Sequence, residues 1–197
     1  MVQSGSNELA RGMQSGQWPA DVGRQLADVQ KQFALLNQLT AAPATQTALV
    51  VAASEQADRT LLVAQTVTES IEKMAQAPSA RLVNLAGRQR MLSQRLAKNY
   101  FLNAAKVESK VVQAQLVADA ADFRQALQTL KAAPVSTPAI RSELELADSQ
   151  WLFFDSALRR PADDAGLSAV ATTSERLLGV MDKLTSLYEA ALREVLG

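Results

Sequence analysis

Arginine side chains without neighbouring carboxylates mark residues 84–100 as the stretch where charge could do chemistry. No acidic residue occurs between Glu72 and Glu108. That interval holds seven of the chain's twenty lysines and arginines: Lys73, Arg81, Arg88, Arg90, Arg95, Lys98 and Lys106. The rest of the chain carries 13 cations against 20 acids, so a net charge of zero combines a basic segment with an acidic body. Such a segment is either a solvated face or a site for an anion.

A helical wheel at about 100° per residue divides this segment into distinct faces. One face is an apolar stripe made of Leu82, Leu85, Leu92, Leu96 and Tyr100. The opposite face is polar and comprises Asn84, Arg88, Arg95 and Lys98. We expect this polar face to be exposed to water, and ion pairs with acids on a neighbouring helix are the alternative.

Arg90 belongs to neither face, because its helical neighbours are mostly small or apolar. They are Val83, Ala86, Gly87, Ser93, Gln94, Ala97 and Phe101. Small residues allow another backbone to approach closely, so this face is predicted to pack and to desolvate the Arg90 guanidinium in part. A desolvated cation is costly unless a negative group lies against it. Two kinds of partner remain open: a small anion, or a structural carboxylate such as Asp148 or Glu145.

The sequence contains no catalytic constellation. It has no histidine and no cysteine, which removes the commonest general base, the commonest metal ligand and thiolate chemistry. Asp163 and Asp164 adjoin a turn between Pro161 and Gly166 and are predicted to start a helix. A single basic helix in an acidic body is a poor footprint for nucleic acid. We therefore predict a protein that is not an enzyme, with no metal, no cofactor and no nucleic-acid partner.

Apolar periodicity predicts an all-α fold, an elongated up-and-down antiparallel bundle of five to seven helices. The predicted helices span residues 21–40, 47–77, 79–101, 112–130, 138–160 and 167–196, with a short piece over 7–14. Boundaries are expected at Pro19, Pro43, Pro78, Pro134 and Pro161. Ser79 is the predicted N-cap of the basic helix. Aromatic residues of the fifth helix are predicted to pack in the core or at an interface: Trp151, Phe153 and Phe154.

Short sequence matches at a spacing of about 90 residues indicate an internal duplication. Leu26 and Phe33 match Leu116 and Phe123, so the two phenylalanines are expected at equivalent core positions. Coincidence among helices rich in alanine and leucine is the alternative. The duplication favours a turn near Glu108, where the helix periodicity alone is ambiguous. We divide the chain into a flexible or truncated segment 1–18, a first half-repeat 19–78, and a helical bundle 79–197.

The string NLAGRQRMLSQR, residues 84–95, resembles the opening of the PilJ-type sensor domain. This is the N-terminal domain of type IV pili methyl-accepting chemotaxis transducers. The string is more loosely similar to the P-box of the NarX and NarQ nitrate sensors, which Gly87, Arg90, Met91 and Ser93 match. Such domains are extracytoplasmic helical bundles, usually dimeric, and several bind nitrate or nitrite through the arginine of the box.

The resemblance implies a periplasmic sensing domain of a signal-transduction or chemotaxis system. Nitrate or nitrite is the first-choice ligand, and the implied ligand-binding residues are Arg90, Gly87, Ser93, Met91, Arg88 and Gln94. It also implies a signalling partner protein and a homodimer whose basic helices meet, and the small residues place that contact at Val83, Ala86, Gly87 and Ala97. The alternative is a helical scaffold or partner-binding module that has no small-molecule ligand.

No apolar run reaches the roughly 18 residues that a transmembrane helix needs, so no membrane span is predicted in this chain. The opening residues do not have the pattern of a secretory leader. If the resemblance holds, we expect that a leader or membrane anchor is absent from this sequence.

Overall fold

The computed structural model describes residues 16, 18–41, 46–107, 109–135 and 137–196, and in these ranges the chain forms six α-helices and no strand. They are α1 (Ala20–Ala41), α2 (Thr47–Ala75), α3 (Pro78–Ala104), α4 (Ser109–Lys131), α5 (Pro138–Leu158) and α6 (Asp164–Leu196). The predicted all-α fold is confirmed. The short helix predicted over 7–14 and the boundary at Pro43 lie outside the described residues. No described helix is both long and apolar enough to cross a membrane.

Prolines mark most of the helix ends, as predicted. α1 begins directly after Pro19, and Pro78 and Pro138 stand in the first turns of α3 and α5. Pro134 and Pro161 follow the ends of α4 and α5. Proline is tolerated in a first turn because the N–H that it lacks would have no partner within the helix. It ends the preceding helix because it disfavours the helical conformation of the residue before it.

The prediction that Ser79 caps the basic helix is wrong. The N-cap of α3 is Ala77, whose backbone is extended, and Ser79 already lies inside the first turn. The Ser79 Oγ is buried and forms no hydrogen bond with the described residues. Pro78 decides the start, because proline favours the first helical position and an extended residue before it. α5 does have a side-chain cap, since Thr137 Oγ1 accepts a hydrogen bond from Ile140 N at 3.2 Å.

The chain divides into two compact units, with the boundary after Ala75. In the first unit, α1 packs on α2 around a small apolar cluster of Val22, Leu26, Val29 and Val67. Phe33 is partly buried against this cluster. A polar contact also joins the two helices, because Gln56 Nε2 donates to the side-chain oxygen of Gln32 at 2.9 Å.

The second unit, residues 76–197, is a four-helix bundle of α3, α4, α5 and α6. α3 packs against α4 and α6, and α5 packs against α6 and α4. Short connections make successive helices antiparallel. In the core, the Phe123 and Trp151 rings stack with centroids 4.4 Å apart, and Phe154 meets Trp151 edge-on at 6.2 Å. Trp151 and Phe154 are therefore core residues, whereas Phe153 is 62% exposed on the outer face of α5.

The turn predicted near Glu108 is confirmed. α3 ends at Ala104, and α4 starts at Ser109. Lys106 has a positive φ of 58° in this turn, a conformation that reverses the chain and that few residues other than glycine adopt.

Two buried tyrosines fix other connections of the bundle. The Tyr100 hydroxyl of α3 lies 3.1 Å from the Arg160 carbonyl oxygen and 3.0 Å from that of Pro161, so it donates to the turn between α5 and α6. Burial raises the pKa of Tyr100, the negative charge of Asp163 adds to the rise, and Arg160 opposes it. The Tyr188 hydroxyl donates to the Leu130 carbonyl oxygen at 3.2 Å, and burial raises its pKa as well.

Gly166 makes the packing of the α5–α6 turn possible. A Cβ atom at this position would overlap the Pro161 carbonyl oxygen and would lie 2.7 Å from the Tyr100 hydroxyl oxygen. The Gly166 N–H donates to Asp163 Oδ1 at 2.8 Å, so Asp163 starts the helix as predicted. The absence of a side chain therefore allows the turn to fold back onto the first turn of α6.

Candidate functional site

Arg90 lies at the outer rim between α3 and α6, and the prediction that it lies on a packed face is wrong. Its side chain is 45% exposed. One Nη atom lies 3.0 Å from Asp182 Oδ1 on α6, and the Asp182 side chain is 57% exposed. Neither predicted carboxylate is its partner, and Asp148 instead pairs with Lys131. The error has a simple origin: the small neighbours of Arg90 pack inside this bundle, while the arginine itself points past them to solvent.

Two further residues of the predicted site lie along the same edge of α3. A Cβ at Gly87 would be 3.9 Å from the Thr185 methyl group of α6, which is an ordinary contact. No backbone of another helix approaches Gly87 closely within the described residues, so a side chain as small as a methyl group would fit there. One turn beyond Arg90, Gln94 Nε2 donates to the Ser174 carbonyl oxygen at 3.4 Å, a long and weak hydrogen bond. Gly87, Arg90 and Gln94 thus form one line along the α3–α6 boundary.

The other predicted site residues do not join this line. The Ser93 side chain is buried, and its Oγ donates to the Arg90 carbonyl oxygen at 2.8 Å. Met91 is partly buried against the core of the bundle. Arg88 lies on the other side of α3, where one Nη is 3.3 Å from Asp122 Oδ2 of α4. Ser93, Met91 and Arg88 are therefore close to Gly87, Arg90 and Gln94 in the sequence, but they lie on other faces of α3.

Only part of the predicted dimer face is exposed in the structure. Ala86 and Ala97 are buried inside the bundle, so they are not available to a second chain. Val83 and Gly87 are half-buried and remain near the surface. Alanine fits a tight core and a tight interface equally well, so its size alone does not distinguish the two.

The polar face of α3 is a seam against α4, and the prediction that it faces water is wrong. Arg88 pairs with Asp122, and Arg95 pairs with Asp119. The next contacts are between amide side chains: Asn99 with Gln115 at 3.2 Å and Asn103 with Gln113 at 3.2 Å. The alternative that we left open, ion pairs with a neighbouring helix, is what the structure shows.

Arg95 and Asp119 form the strongest charge pair of this seam. Arg95 Nε lies 2.7 Å from Asp119 Oδ2, and its Nη2 contacts Oδ1, so the guanidinium meets the carboxylate with two parallel bonds. The Asp119 side chain is only 4% exposed and that of Arg95 24%. One signal in the sequence could have indicated this pair: α4 places Asp119 and Asp122 three residues apart, on one face, directly after an acid-free helix.

The described residues contain no group of three or more histidines, cysteines, aspartates or glutamates that could hold a metal ion. A guanidinium provides planar, charged donors for the oxygens of an anion.

Comparisons with known proteins identify the family. No curated protein matches this chain, and no solved structure matches it. The model of the PilJ family, described as the N-terminal part of the type IV pili methyl-accepting chemotaxis transducer, matches residues 74–176. This span covers just over half of the chain and includes all of α3, α4 and α5. PilJ is a signalling family and not a family of enzymes. The chain therefore belongs to the PilJ family, the N-terminal sensor domains of chemotaxis transducers.

Proposed function

We propose that this chain is an extracytoplasmic sensing domain that binds a small oxyanion, nitrate or nitrite, through Arg90. Membership of the PilJ family supports the signalling role. The position of Arg90 in the box Gly87-Arg88-Gln89-Arg90-Met91-Leu92-Ser93 supports its choice as the anion-binding residue, because it takes the place of the arginine in the looser NarX and NarQ pattern.

The single observation that carries the proposal is the weak hold that the protein has on Arg90. Its ion pair with Asp182 joins two half-exposed side chains. Pairs of this kind contribute about 0–1 kcal/mol, so an anion can displace the carboxylate at little cost. Arg95, in contrast, is held by two bonds to Asp119, and its departure would take from this buried carboxylate the cation that compensates for its burial.

The chemistry of nitrate suits this arrangement. Nitrate is planar and delocalised, and a guanidinium meets two of its oxygens with parallel charge-assisted hydrogen bonds. Each such bond contributes about 1.5–3 kcal/mol. Gly87 adds no side chain to the surface one turn before Arg90, and the weakly bonded amide of Gln94 lies one turn after it, on the same edge of α3.

Other residues of the box have supporting roles in this proposal. The Ser93 hydroxyl bonds the Arg90 carbonyl and so fixes the backbone from which the guanidinium extends. Met91 anchors the same turn to the core. Arg88 lies outside the anion site, since it is directed to Asp122 of α4.

The proposal includes a homodimer in which the exposed edges of two α3 helices meet between Gly87 and Gln94. Two Arg90 guanidinium groups would then face each other and repel. An anion between them removes the repulsion, so ligand binding is expected to tighten the dimer. The signal would pass from this dimer to a signalling partner protein.

The test compares Arg90→Ala with Arg88→Ala in nitrate titrations by calorimetry at fixed ionic strength. Arg88 is the matched control, because it is an arginine of the same helix with a similarly exposed ion pair. Nitrate binding is expected to be lost in Arg90→Ala and kept in Arg88→Ala. Asp182→Asn removes the competing carboxylate and is expected to raise the affinity. Equal binding in both arginine variants would overturn the proposal.

A helical partner-binding module is the second candidate, and exposed apolar residues of α5 favour it. Leu146, Leu152 and Phe153 are all exposed on the described surface of that helix. The two candidates differ in a simple measurement. A partner-binding module without a small ligand has a melting temperature that does not respond to nitrate, whereas a ligand at a hundredfold excess over its Kd adds about 2.7 kcal/mol to the apparent stability of a sensor.

A further inference from the structure

A cavity lies on the opposite side of α3 from Gly87, between the N-terminal half of α3 and the C-terminal half of α4. Its volume is about 260 Å³. Its polar lining comprises Arg81, Arg88, Gln89, Asp122, Gln125 and Thr129. Drug-sized ligands occupy pockets of about 300–1,000 Å³, so this cavity suits a smaller molecule.

The charge of the lining favours an anion. Arg81 is exposed and pairs with no carboxylate in the described part of the chain. Arg88 is paired with Asp122, but both side chains are partly exposed and the distance is 3.3 Å. Two guanidinium groups against one carboxylate leave the wall with one net positive charge. A single carboxylate group of a ligand would neutralise it.

Gln89 adds a requirement that a simple anion does not meet. It is fully buried at the wall of the cavity, so its side chain has to turn slightly before a ligand can reach it. Its Nε2 donates to the Leu85 carbonyl oxygen at 3.0 Å, which fixes the orientation of the amide, because the reverse orientation would oppose two acceptors. The Gln89 Oε1 accepts no hydrogen bond from the described residues. A buried acceptor without a donor is costly, so a ligand that brings an O–H or N–H gains from this residue.

The ligand group that donates to Gln89 Oε1 is expected to be neutral. An ammonium group would add a cation beside Arg81 and Arg88, whereas a hydroxyl donates without adding charge. The remaining walls are apolar and small, since Leu85 and Ala126 line them, and they suit a short aliphatic substituent.

We propose that this cavity binds a small 2-hydroxy carboxylate, with Arg81 and Arg88 on the carboxylate and Gln89 Oε1 accepting from the hydroxyl group. The site is separate from the proposed oxyanion site, because Arg88 and Arg90 point to different sides of α3 and pair with different helices. It does not depend on a second chain.

Three ligands of nearly equal size test the proposal: L-lactate, propionate and L-alanine, titrated by calorimetry at fixed pH and ionic strength. Propionate lacks the donor, and L-alanine replaces the hydroxyl by an ammonium group. L-lactate is expected to bind at least about tenfold more tightly than either, because a site that is built to hydrogen-bond a hydroxyl rejects an analogue without it. Equal affinities for L-lactate and propionate, tighter binding of L-alanine, or no binding of L-lactate would each overturn the proposal.

Variants locate the site. Arg81→Gln, at the exposed mouth of the cavity, is expected to weaken L-lactate binding about tenfold or more. Gln89→Leu is expected to make L-lactate and propionate bind equally. If Gln89→Leu does not fold, as circular dichroism would reveal, Arg81→Gln decides the question alone, and unchanged L-lactate binding in that variant overturns the proposal. Arg90→Ala is the matched control: it should leave L-lactate binding unchanged, so failure of either proposed site is distinguishable from failure of the other.

Discussion

Replacement of Gly166 by alanine tests the account of the α5–α6 turn. In most helical positions Gly→Ala stabilises a protein by about 0.5–1 kcal/mol, because alanine restricts the unfolded chain and favours the helix. At Gly166 the added methyl group would overlap the Pro161 carbonyl oxygen and lie 2.7 Å from the Tyr100 hydroxyl oxygen. One of these groups is backbone, so relief requires the turn to move.

The expected cost combines two unfavourable contributions with one favourable contribution. Inserting a methyl group into a well-packed site costs about 1–3 kcal/mol. Displacing the turn also weakens the hydrogen bonds of Tyr100, at about 1 kcal/mol. After subtracting the helix gain, Gly166→Ala is expected to lower the free energy of unfolding by about 1–3 kcal/mol.

The measurement is urea unfolding followed by fluorescence, in which Trp151 reports from the core of the bundle. Gly179→Ala is the matched control, since Gly179 lies in the same helix and a Cβ there would meet nothing within 4 Å. That variant should be stabilised by about 0.5–1 kcal/mol. Should Gly166→Ala be as stable as the unmodified protein, or more stable, the proposed contact between the turn and α6 would be refuted.

Further substitutions test the polar seam, the buried tyrosines and the helix caps. Asp119→Ala should cost about 2–4 kcal/mol because it removes both charge-assisted bonds between that carboxylate and the partly buried Arg95. Asp122→Ala should cost less than about 1 kcal/mol, and equal losses in urea unfolding would contradict this contrast. Burial raises the pKa of the Tyr188 hydroxyl above its value in the unfolded chain. The stability that this neutral, buried hydroxyl contributes is therefore complete below about pH 10 and is lost as the pH rises further. When the pH is raised from about 9 to above 10, Tyr188→Phe should therefore lose less stability than the unmodified protein. An equal loss in the two proteins would contradict the role given to the Tyr188 hydroxyl. Ser79→Ala should be neutral or stabilising because its hydroxyl has no hydrogen-bond partner among the described residues, whereas Thr137→Ala should cost about 1 kcal/mol; similar melting temperatures for the two would contradict the cap assignment.

The sequence predicted the helices well because their determinants are local. Prolines at positions such as 78, 134 and 161 restrict their own backbone and that of the preceding residue, whatever the rest of the chain does. Apolar repeats of three and four residues identified the core stripe of α3, including Leu92 and Leu96, which are fully buried. The detail that failed, Ser79 as a cap, failed because a proline one residue earlier already fixed the start of the helix.

The faces of α3 were less predictable because they depend on what packs against them. A polar face looks the same in sequence whether it meets water or the acids of another helix, so the residues around Arg95 alone did not indicate its ion pair, and only the spacing of Asp119 and Asp122 on α4 could have done so. Small residues are equally ambiguous: Ala86 and Ala97 are in the core, not at an exposed interface. Arg90 was selected for its neighbours, but those neighbours turn inward and the arginine does not.

The seam between α3 and α4 has a mechanical consequence. Its contacts recur along the two helices from Arg88 and Asp122 to Asn103 and Gln113, so they fix the register of one helix on the other. A slide by one helical turn would move the side chains by about 5.4 Å and separate every pair, leaving the buried Asp119 without its cation. A piston displacement of α3 alone is therefore resisted by the whole ladder at once. Any displacement of α3 along its axis is therefore expected to move α4 with it, so that the two helices shift as one rigid body.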